Sequence, residues 1–212
     1  MFTVDLHTHS VASNDGGITE KEYEKIIAEK KLDFVAITDH NRIDFAQKMQ
    51  GKLGSCIIVG EEIMTESGEI IGLFLKETIA PHMSILDTIG RVRAQNGLVY
   101  VPHPFDTFRH SIGKVQLLEY MDEIDIIEGF NARIIFRWQN VAAARFANAQ
   151  HIAVGVGSDA HTLSGIGAYA LIAQKPTAKN IEELLKGATY NPKYQPFAAY
   201  FAPMKNKIKN NV

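Results

Sequence analysis

Cysteine is almost absent from this 212-residue chain: Cys56 is the only one, so no disulfide can form within it. Because Cys56 opens the apolar run CIIV at residues 56–59, a buried structural thiol is a better interpretation than a reactive nucleophile. The chain also has no apolar stretch near the roughly 20 residues of a membrane-spanning helix, and its start lacks the basic and apolar regions of a signal peptide. These absences lead us to expect a cytoplasmic protein with no membrane partner.

Net charge is also small. The 22 basic and 24 acidic side chains leave a formal charge of -2, which argues against an extended basic surface for nucleic acid. A small anionic substrate is still compatible with this balance if positive charge is concentrated locally. The length and the 46% hydrophobic content predict one globular domain over residues 1–202, followed by a peripheral tail at 203–212. The oligomeric state is left open.

Short runs rich in β-branched residues alternate along the chain with helical patterns, which favours an α/β fold with a parallel sheet. The runs lie at residues 2–6, 34–37, 57–59, 98–101, 124–127 and 153–156. A turn at 66–69 predicts a hairpin between 63–65 and 70–75, and residues 167–173 predict a last strand. Thr19, three residues before Glu22, fits a capping box at the start of the first helix.

Histidine and carboxylate residues recur where these strands end. His7 and His9 are two residues apart and can face one cation from the same side of a strand, and Asp159 and His161 repeat that spacing. Each pair also has an ordinary explanation, as polar residues at a strand end or as a helix cap. Because the carboxyl ends of barrel strands meet on one face, we predict that these side chains share a pocket. Imidazole and carboxylate together suit Zn, Mn or Fe better than Ca.

Four more residues extend this predicted site. His40 is assigned to the metal, whereas the adjacent Asp39 either orients an imidazole or caps a helix. Asp15 can reach back from a loop, although taken alone it is better explained as a turn former before two glycines. His103 lies between two prolines, which form a rigid mount for a ligand and also fit a structural loop. Only one of Glu61 and Glu62 can enter the pocket if their strand is regular.

Glu69 follows on the next strand. A two-residue turn that pairs residue 66 with Glu69 places Glu69 on the same face as Glu62, although a solvated hairpin charge explains it nearly as well. Glu69 is therefore a further candidate ligand.

The segments DLHTHS at 5–10, ITDHN at 37–41, GEEI at 60–63, HP at 103–104 and GSDAH at 157–161 together resemble the PHP family, the polymerase and histidinol phosphatase superfamily of metal-dependent phosphoesterases. This resemblance implies a distorted seven-stranded, TIM-like (β/α)7 barrel and a cluster of two or three divalent ions. It selects Glu62 over Glu61. The implied ligand sets are His7, His9 and Asp159 for one ion, Glu62 bridging to a second held by His103, and Asp15, His40 and His161 for a third.

One position departs from this pattern. Many small family members have a histidine in the strand after the bridging glutamate, whereas this chain has Glu69 there. Glutamate still ligates metals, but we expect its harder, anionic oxygen either to alter the metal preference of the second site or to weaken that site. Glu128 and Asn131 lie in a segment that also resembles small PHP proteins, and we interpret them as pocket lining rather than as ligands.

Bound cations lower the pKa of water from about 15.7 toward about 7, which supplies hydroxide for attack on a phosphoester. We therefore predict a phosphoesterase that acts on a small phosphorylated metabolite or nucleotide, with Arg133 binding phosphate. A surface arginine at the start of the following helix explains Arg133 equally well. Other basic residues are weaker candidates for that role or are better explained structurally: Arg42, His82, Arg109, His110 and Arg137. Hydrolysis of an amide or lactone at the same metals and a noncatalytic metal-stabilised binding module are the alternatives. The general acid is not identified.

Overall fold

The computed structural model describes residues 1–210. Nine strands are present there: β1 Phe2–Asp5, β2 Phe34–Ile37, β3 Ile57–Thr65, β4 Gly68–Leu73, β5 Leu98–Val101, β6 Ile126–Asn131, β7 Ala153–Gly157, β8 Tyr169–Ile172 and β9 Thr189–Asn191. The helices are α1 Glu20–Ala28, α2 Asp44–Leu53, α3 Ile85–Ala94, α4 Lys114–Glu119, α5 Trp138–Ala149, α6 Ile181–Lys186 and α7 Ala202–Asn210. The predicted capping box at Thr19 and Glu22 is formed at the start of α1.

All nine strands belong to one sheet with the order β7-β6-β5-β4-β3-β2-β1-β8-β9. The sheet nearly closes into a barrel because Leu6, just after β1, donates its backbone N–H to the Val156 carbonyl of β7 at 3.1 Å. The α/β class and the barrel-shaped sheet agree with expectation, but the strand count in the described part of the chain is nine rather than seven. The additional strands are β8, which pairs antiparallel with β1, and β9, which pairs with β8.

Alternate residues of the strands face two apolar layers. Val35 and Ile37 pack in the layer that contains residues of α1, α2 and α3, whereas Ile58, Ile71 and Ile126 belong to a second cluster drawn from strands around the barrel. Since side chains alternate along a strand, Glu62 shares the face of Ile58, Glu69 that of Ile71 and Glu128 that of Ile126. The inner face therefore changes from apolar to acidic toward one end of the barrel.

The hairpin of β3 and β4 has a register different from the predicted one. Thr65 pairs with Gly68 and Met64 pairs with Glu69, so the predicted partner of Glu69 is displaced by two residues. A two-residue shift leaves every side chain on its original face. Glu69 therefore lies on the Glu62 side, as expected, although the pairing predicted for it is wrong.

The C-terminal segment, predicted as a peripheral tail from residue 203, forms the last helix of the described chain. Residues 202–210 form α7, and the Asn206 side chain donates to the backbone carbonyls of Asp15 at 2.9 Å and His161 at 3.1 Å. Residues 211 and 212 of the predicted tail lie outside the described residues. Cys56 is partly buried in a short turn before β3 rather than fully buried. None of the helices in residues 1–210 has both the length and the apolar content needed to cross a membrane.

Candidate metal centre

The nine predicted ligand side chains come together at one end of the barrel. Three overlapping groups have potential ligand atoms within 4.8 Å of one another: His9, Asp15, His40 and His161; His7, His9 and Asp159; and His40, Glu62 and Glu69. His103 joins them through Glu62. Most of these residues line a cavity of about 650 Å³ that opens to the surface. Chain segments more than 150 residues apart in sequence thus contribute to one pocket.

Glu62 lies at the centre of the cluster. Its carboxylate oxygens are close to a nitrogen of four imidazoles: His7 at 3.4 Å, His9 at 3.2 Å, His40 at 3.3 Å and His103 at 3.2 Å. Burial alone raises the pKa of this carboxyl, but the charges of His7 and His40 outweigh that effect and hold the pKa well below its usual value. A carboxylate with two oxygens in this position can serve two cations at once.

Several of the imidazoles are held through the ring nitrogen that faces away from the centre. Such contacts fix the ring and its tautomer and leave the other nitrogen free for a metal. The Nδ1 contacts are His7 to Glu128 Oε1 at 3.1 Å, His9 to Ser13 Oγ at 3.4 Å, His103 to Ser111 Oγ at 3.1 Å and His161 to the Asp159 carbonyl at 3.0 Å.

The chemistry of this donor set fits divalent cations. The Nε2 atoms of His7 and His9 are 3.1 Å apart, close to the separation of about 3.4 Å expected for two nitrogens on one tetrahedral zinc ion. Asp15 Oδ1 and His161 Nε2 are buried without a hydrogen-bond partner. Burial and the neighbouring Glu62 carboxylate raise the pKa of Glu69 to about 9. Unpaired donors and crowded carboxylates of this kind are stabilised by a bound cation.

Asp159 and His103 have a strained backbone. Their φ angles are 50° and 31°, in the left-handed region that residues other than glycine seldom adopt. Strain of this kind is concentrated at functional sites, because surrounding contacts are needed to maintain it. Both strained residues are predicted ligands.

Arg109, predicted to be a weaker candidate for phosphate binding than Arg133, lies directly beside the metal ligands. Its guanidinium contacts the Asp159 carboxylate and also donates to Asp106 at 2.6 Å and Asn131 at 3.2 Å. Arg133, the predicted phosphate-binding residue, lies 3.3 Å from the other Asp159 oxygen. Burial raises the pKa of Asp159, but the charges of His7 and these two arginines hold it well below its usual value.

Glu128 holds several residues of the site in position through hydrogen bonds. Besides contacting His7, it accepts hydrogen bonds from Tyr100 Oη at 2.8 Å, the His103 backbone at 2.7 Å and Asn131 Nδ2 at 2.9 Å. Glu128 and Asn131 were predicted to line the pocket, but both are fully buried and neither lines the cavity; they contact the ligand residues from behind. Because all of these partners converge on one carboxylate, Glu128 positions residues from the ends of three strands, β1, β5 and β6.

Two other buried carboxylates link backbone segments that carry ligands. Asp5 accepts from the backbone N–H groups of His7 and Ser158, and burial raises its pKa to about 7. Asp39 accepts hydrogen bonds from the Ser10 backbone N–H at 2.7 Å and from the Ser10 hydroxyl, and so stabilises the turn after His9. The alternative role, a cap of the next helix, is not observed, because α2 begins after Ile43 without a side-chain cap.

The weaker basic candidates lie around the site in different settings. Arg42, His82 and His110 line the mouth of the metal cavity, and Arg42 is paired with Asp44 at 2.7 Å. Arg137 lies outside this cavity and packs its guanidinium 4.4 Å from the centre of the Tyr194 ring.

Known proteins resemble this chain in sequence and in fold. The family profile described as PHP-associated matches residues 137–189. The uncharacterized protein MJ0417 of Methanocaldococcus jannaschii is 38% identical over 172 residues, which cover 77% of this chain and 67% of that protein.

Two solved structures share the fold. One is a two-domain protein from Bacteroides vulgatus that contains a predicted PHP-like metal-dependent phosphoesterase, with a TM-score of 0.71, 17% identity and coverage of 97% of this chain and 69% of that chain. The other is an amidohydrolase from Chromobacterium violaceum with bound sulfate and no metal, with a TM-score of 0.65, 15% identity and coverage of 88% and 97%.

Proposed function

Because this chain belongs to the PHP superfamily, we propose that it is a metal-dependent hydrolase that cleaves phosphoesters of a small phosphorylated metabolite or nucleotide. One observation carries the proposal: a histidine cluster centred on Glu62 adjoins two guanidinium groups, those of Arg109 and Arg133, across the Asp159 carboxylate. Cation ligands and phosphate-binding groups are thus side by side in one open cavity.

Two or three divalent ions, Zn, Mn or Fe, would be held by the three ligand groups, with Glu62 shared between them. Such ions lower the pKa of water and neutralise charge on phosphate oxygens when they are bound. Two of the imidazoles are neutral without a metal. Burial and the nearby charge of His9 lower the pKa of His161 to about 3, and burial and Arg109 lower that of His103. Burial lowers the pKa of His9, but Asp159 and Glu62 raise it to about 9, so a cation would displace a proton there.

Arg109 and Arg133 would bind the phosphate. A guanidinium presents parallel N–H donors that match two phosphate oxygens, and it is never deprotonated under ordinary conditions. Asp106 and Asn131 accept hydrogen bonds from the Arg109 guanidinium and fix its position, so Arg109 loses little conformational freedom when a substrate binds. Arg133 is 20% exposed and faces the same cavity.

A second function is favoured by one comparison. The fold is shared with an amidohydrolase, and attack on an amide or lactone carbonyl can use the same metal site. The two reactions differ in what they require of the arginines, because a carbonyl substrate has no dianionic phosphate to neutralise.

We expect Arg133→Ala to separate these reactions. It should lower kcat/KM for p-nitrophenyl phosphate about 30-fold, the effect of losing one charge-assisted hydrogen-bonding group, and change kcat/KM for p-nitrophenyl acetate less than threefold. Arg91→Ala, which removes an exposed arginine on α3, is the matched control and should leave both values unchanged. Equal losses on the two substrates would contradict phosphate binding by Arg133. Turnover of acetate alone in the wild type would favour the carbonyl reaction, and metal binding without any turnover would favour a noncatalytic binding module.

A further inference from the structure

A second cavity, of about 580 Å³, adjoins the metal cavity and shares three lining residues with it: Phe108, Arg109 and Arg133. Its opposite wall is formed by residues 194–201, between β9 and α7. Because the two arginines border both spaces, a phosphate held between them has the metal ligands on one side and this second cavity on the other.

Exposed aromatic rings line this cavity. Phe197 is 80% exposed, Phe108 is 65% exposed and Phe201 is 43% exposed, and the rings of Phe197 and Phe201 lie 5.3 Å apart in an edge-to-face arrangement. Large apolar side chains gain nothing from contact with water, so their concentration around one cavity indicates a ligand that covers them. The second cavity is therefore lined by aromatic rings, whereas the adjoining metal cavity is lined mainly by charged and polar side chains.

The aromatic wall is held in place by the barrel. Tyr194 packs edge-on against Phe130, with ring centres 4.9 Å apart, and the Arg137 guanidinium lies over the Tyr194 ring. Gln195 is buried and donates to the Asp159 carbonyl at 3.1 Å, and Tyr200 donates to the Ala132 carbonyl at 3.3 Å. The segment that carries the wall is therefore bonded directly to the Asp159 backbone.

We propose that this cavity binds a planar aromatic ring carried by the leaving group of the phosphoester, a nucleobase being the most widespread ring of this kind. The assignment rests on the proposed function, because the arginine pair has to hold the phosphate. Aromatic rings stack on Phe and Tyr faces, and polar atoms at the edge of a nucleobase can accept hydrogen bonds from Arg137 or Arg133. A purely aliphatic group would leave these donors without partners as it displaced their water.

The test compares two substrates that differ only in the ring. Adenosine 5′-phosphate and ribose 5-phosphate are both primary alkyl phosphates, so their leaving groups have similar reactivity. We expect the metal-loaded wild type to favour adenosine 5′-phosphate about tenfold in kcat/KM, and the Phe197→Ala, Phe201→Ala double variant to remove most of this preference, as is typical when base-stacking rings are lost. Leu86→Ala, at a 58% exposed position on α3, should keep the wild-type ratio.

Calorimetric titration with adenosine, which has no phosphate, tests the cavity without hydrolysis. We expect adenosine to bind the wild type and Leu86→Ala, and to bind the single variant Phe197→Ala at least tenfold more weakly. Because Phe197 is 80% exposed, its replacement should not disturb the fold. If the protein hydrolyses no phosphoester but binds adenosine, and Phe197→Ala loses that binding, the proposed function would be refuted and the ring site supported. Equal kcat/KM for the two phosphates together with no adenosine binding would overturn the ring site and leave the phosphoesterase proposal in place.

Discussion

Glu62→Gln should reduce phosphoester turnover by roughly 1000-fold and lower the metal content of the protein. The change keeps the volume of the side chain but removes the negative charge that lies within 3.4 Å of four imidazoles. It also places an amide donor where two cations would share a carboxylate. Loss of one metal-supported interaction worth about 4 kcal/mol in the transition state corresponds to that factor. Steady-state kinetics and elemental analysis of the same preparation measure both effects.

The neighbouring residue provides a matched control for this prediction. Glu61 is also buried, but its carboxylate faces the other side of β3 and accepts from the Ile79 backbone N–H at 2.9 Å. Glutamine can accept the same hydrogen bond, so Glu61→Gln should keep turnover within about threefold of wild type and retain the metal. Similar losses in the two variants would mean that the effect comes from disturbing β3 and not from the Glu62 carboxylate.

Gly157→Ala should destabilise the protein by about 3 kcal/mol, lower Tm by roughly 10 °C and abolish most activity. Gly157 ends β7 beside His7, a predicted ligand, and Glu128, which contacts His7. An added Cβ would lie 2.6 Å from the His7 Cβ and would also overlap the Glu128 carboxylate. His7 and Glu128 contact each other, so neither can move without displacing the other. Thermal unfolding monitored by circular dichroism, with kinetics on the folded fraction, separates the two effects.

Gly51→Ala is the control for the added methyl group. Gly51 lies inside α2 with no atom within 4 Å of the position where a Cβ would be built. Alanine reduces the freedom of the unfolded chain and favours the helix, so we expect a gain of about 0.5–1 kcal/mol with unchanged activity. An equally small effect at residue 157 would show that β7 can shift to admit a side chain, and it would contradict the tight packing described for His7.

The strands of the barrel could be predicted because their apolar runs are buried on both faces, as in β2 and β5, where every residue is buried. β9 gives no such signal: it has three residues, TYN, and none of them is fully buried. The barrel was expected from the family resemblance. The pairing of β8 with β1 and of β9 with β8 depends on long-range contacts, which a local sequence pattern does not encode.

The ligand residues could be predicted because strand-end histidines and carboxylates follow motifs with fixed spacing. Arg109 has no such spacing, since it lies in the irregular segment after β5, and only the folded chain brings it to Asp159 and Asn131. Asn206 was equally hidden, because its partners are backbone carbonyls of Asp15 and His161, which carry no sequence information. The aromatic wall near Phe197 also depends on tertiary contacts.

The most direct measurement of the central claim is the metal content of the protein per chain, determined by elemental analysis after anaerobic purification. It should be paired with hydrolysis of a generic phosphoester before and after treatment with a chelator. The ligand groups around Glu62 predict two or three transition-metal ions per chain, loss of turnover on chelation, and recovery when Zn, Mn or Fe(II) is restored. A protein that binds none of these ions even after reconstitution would contradict the assignment of this cluster as a metal centre.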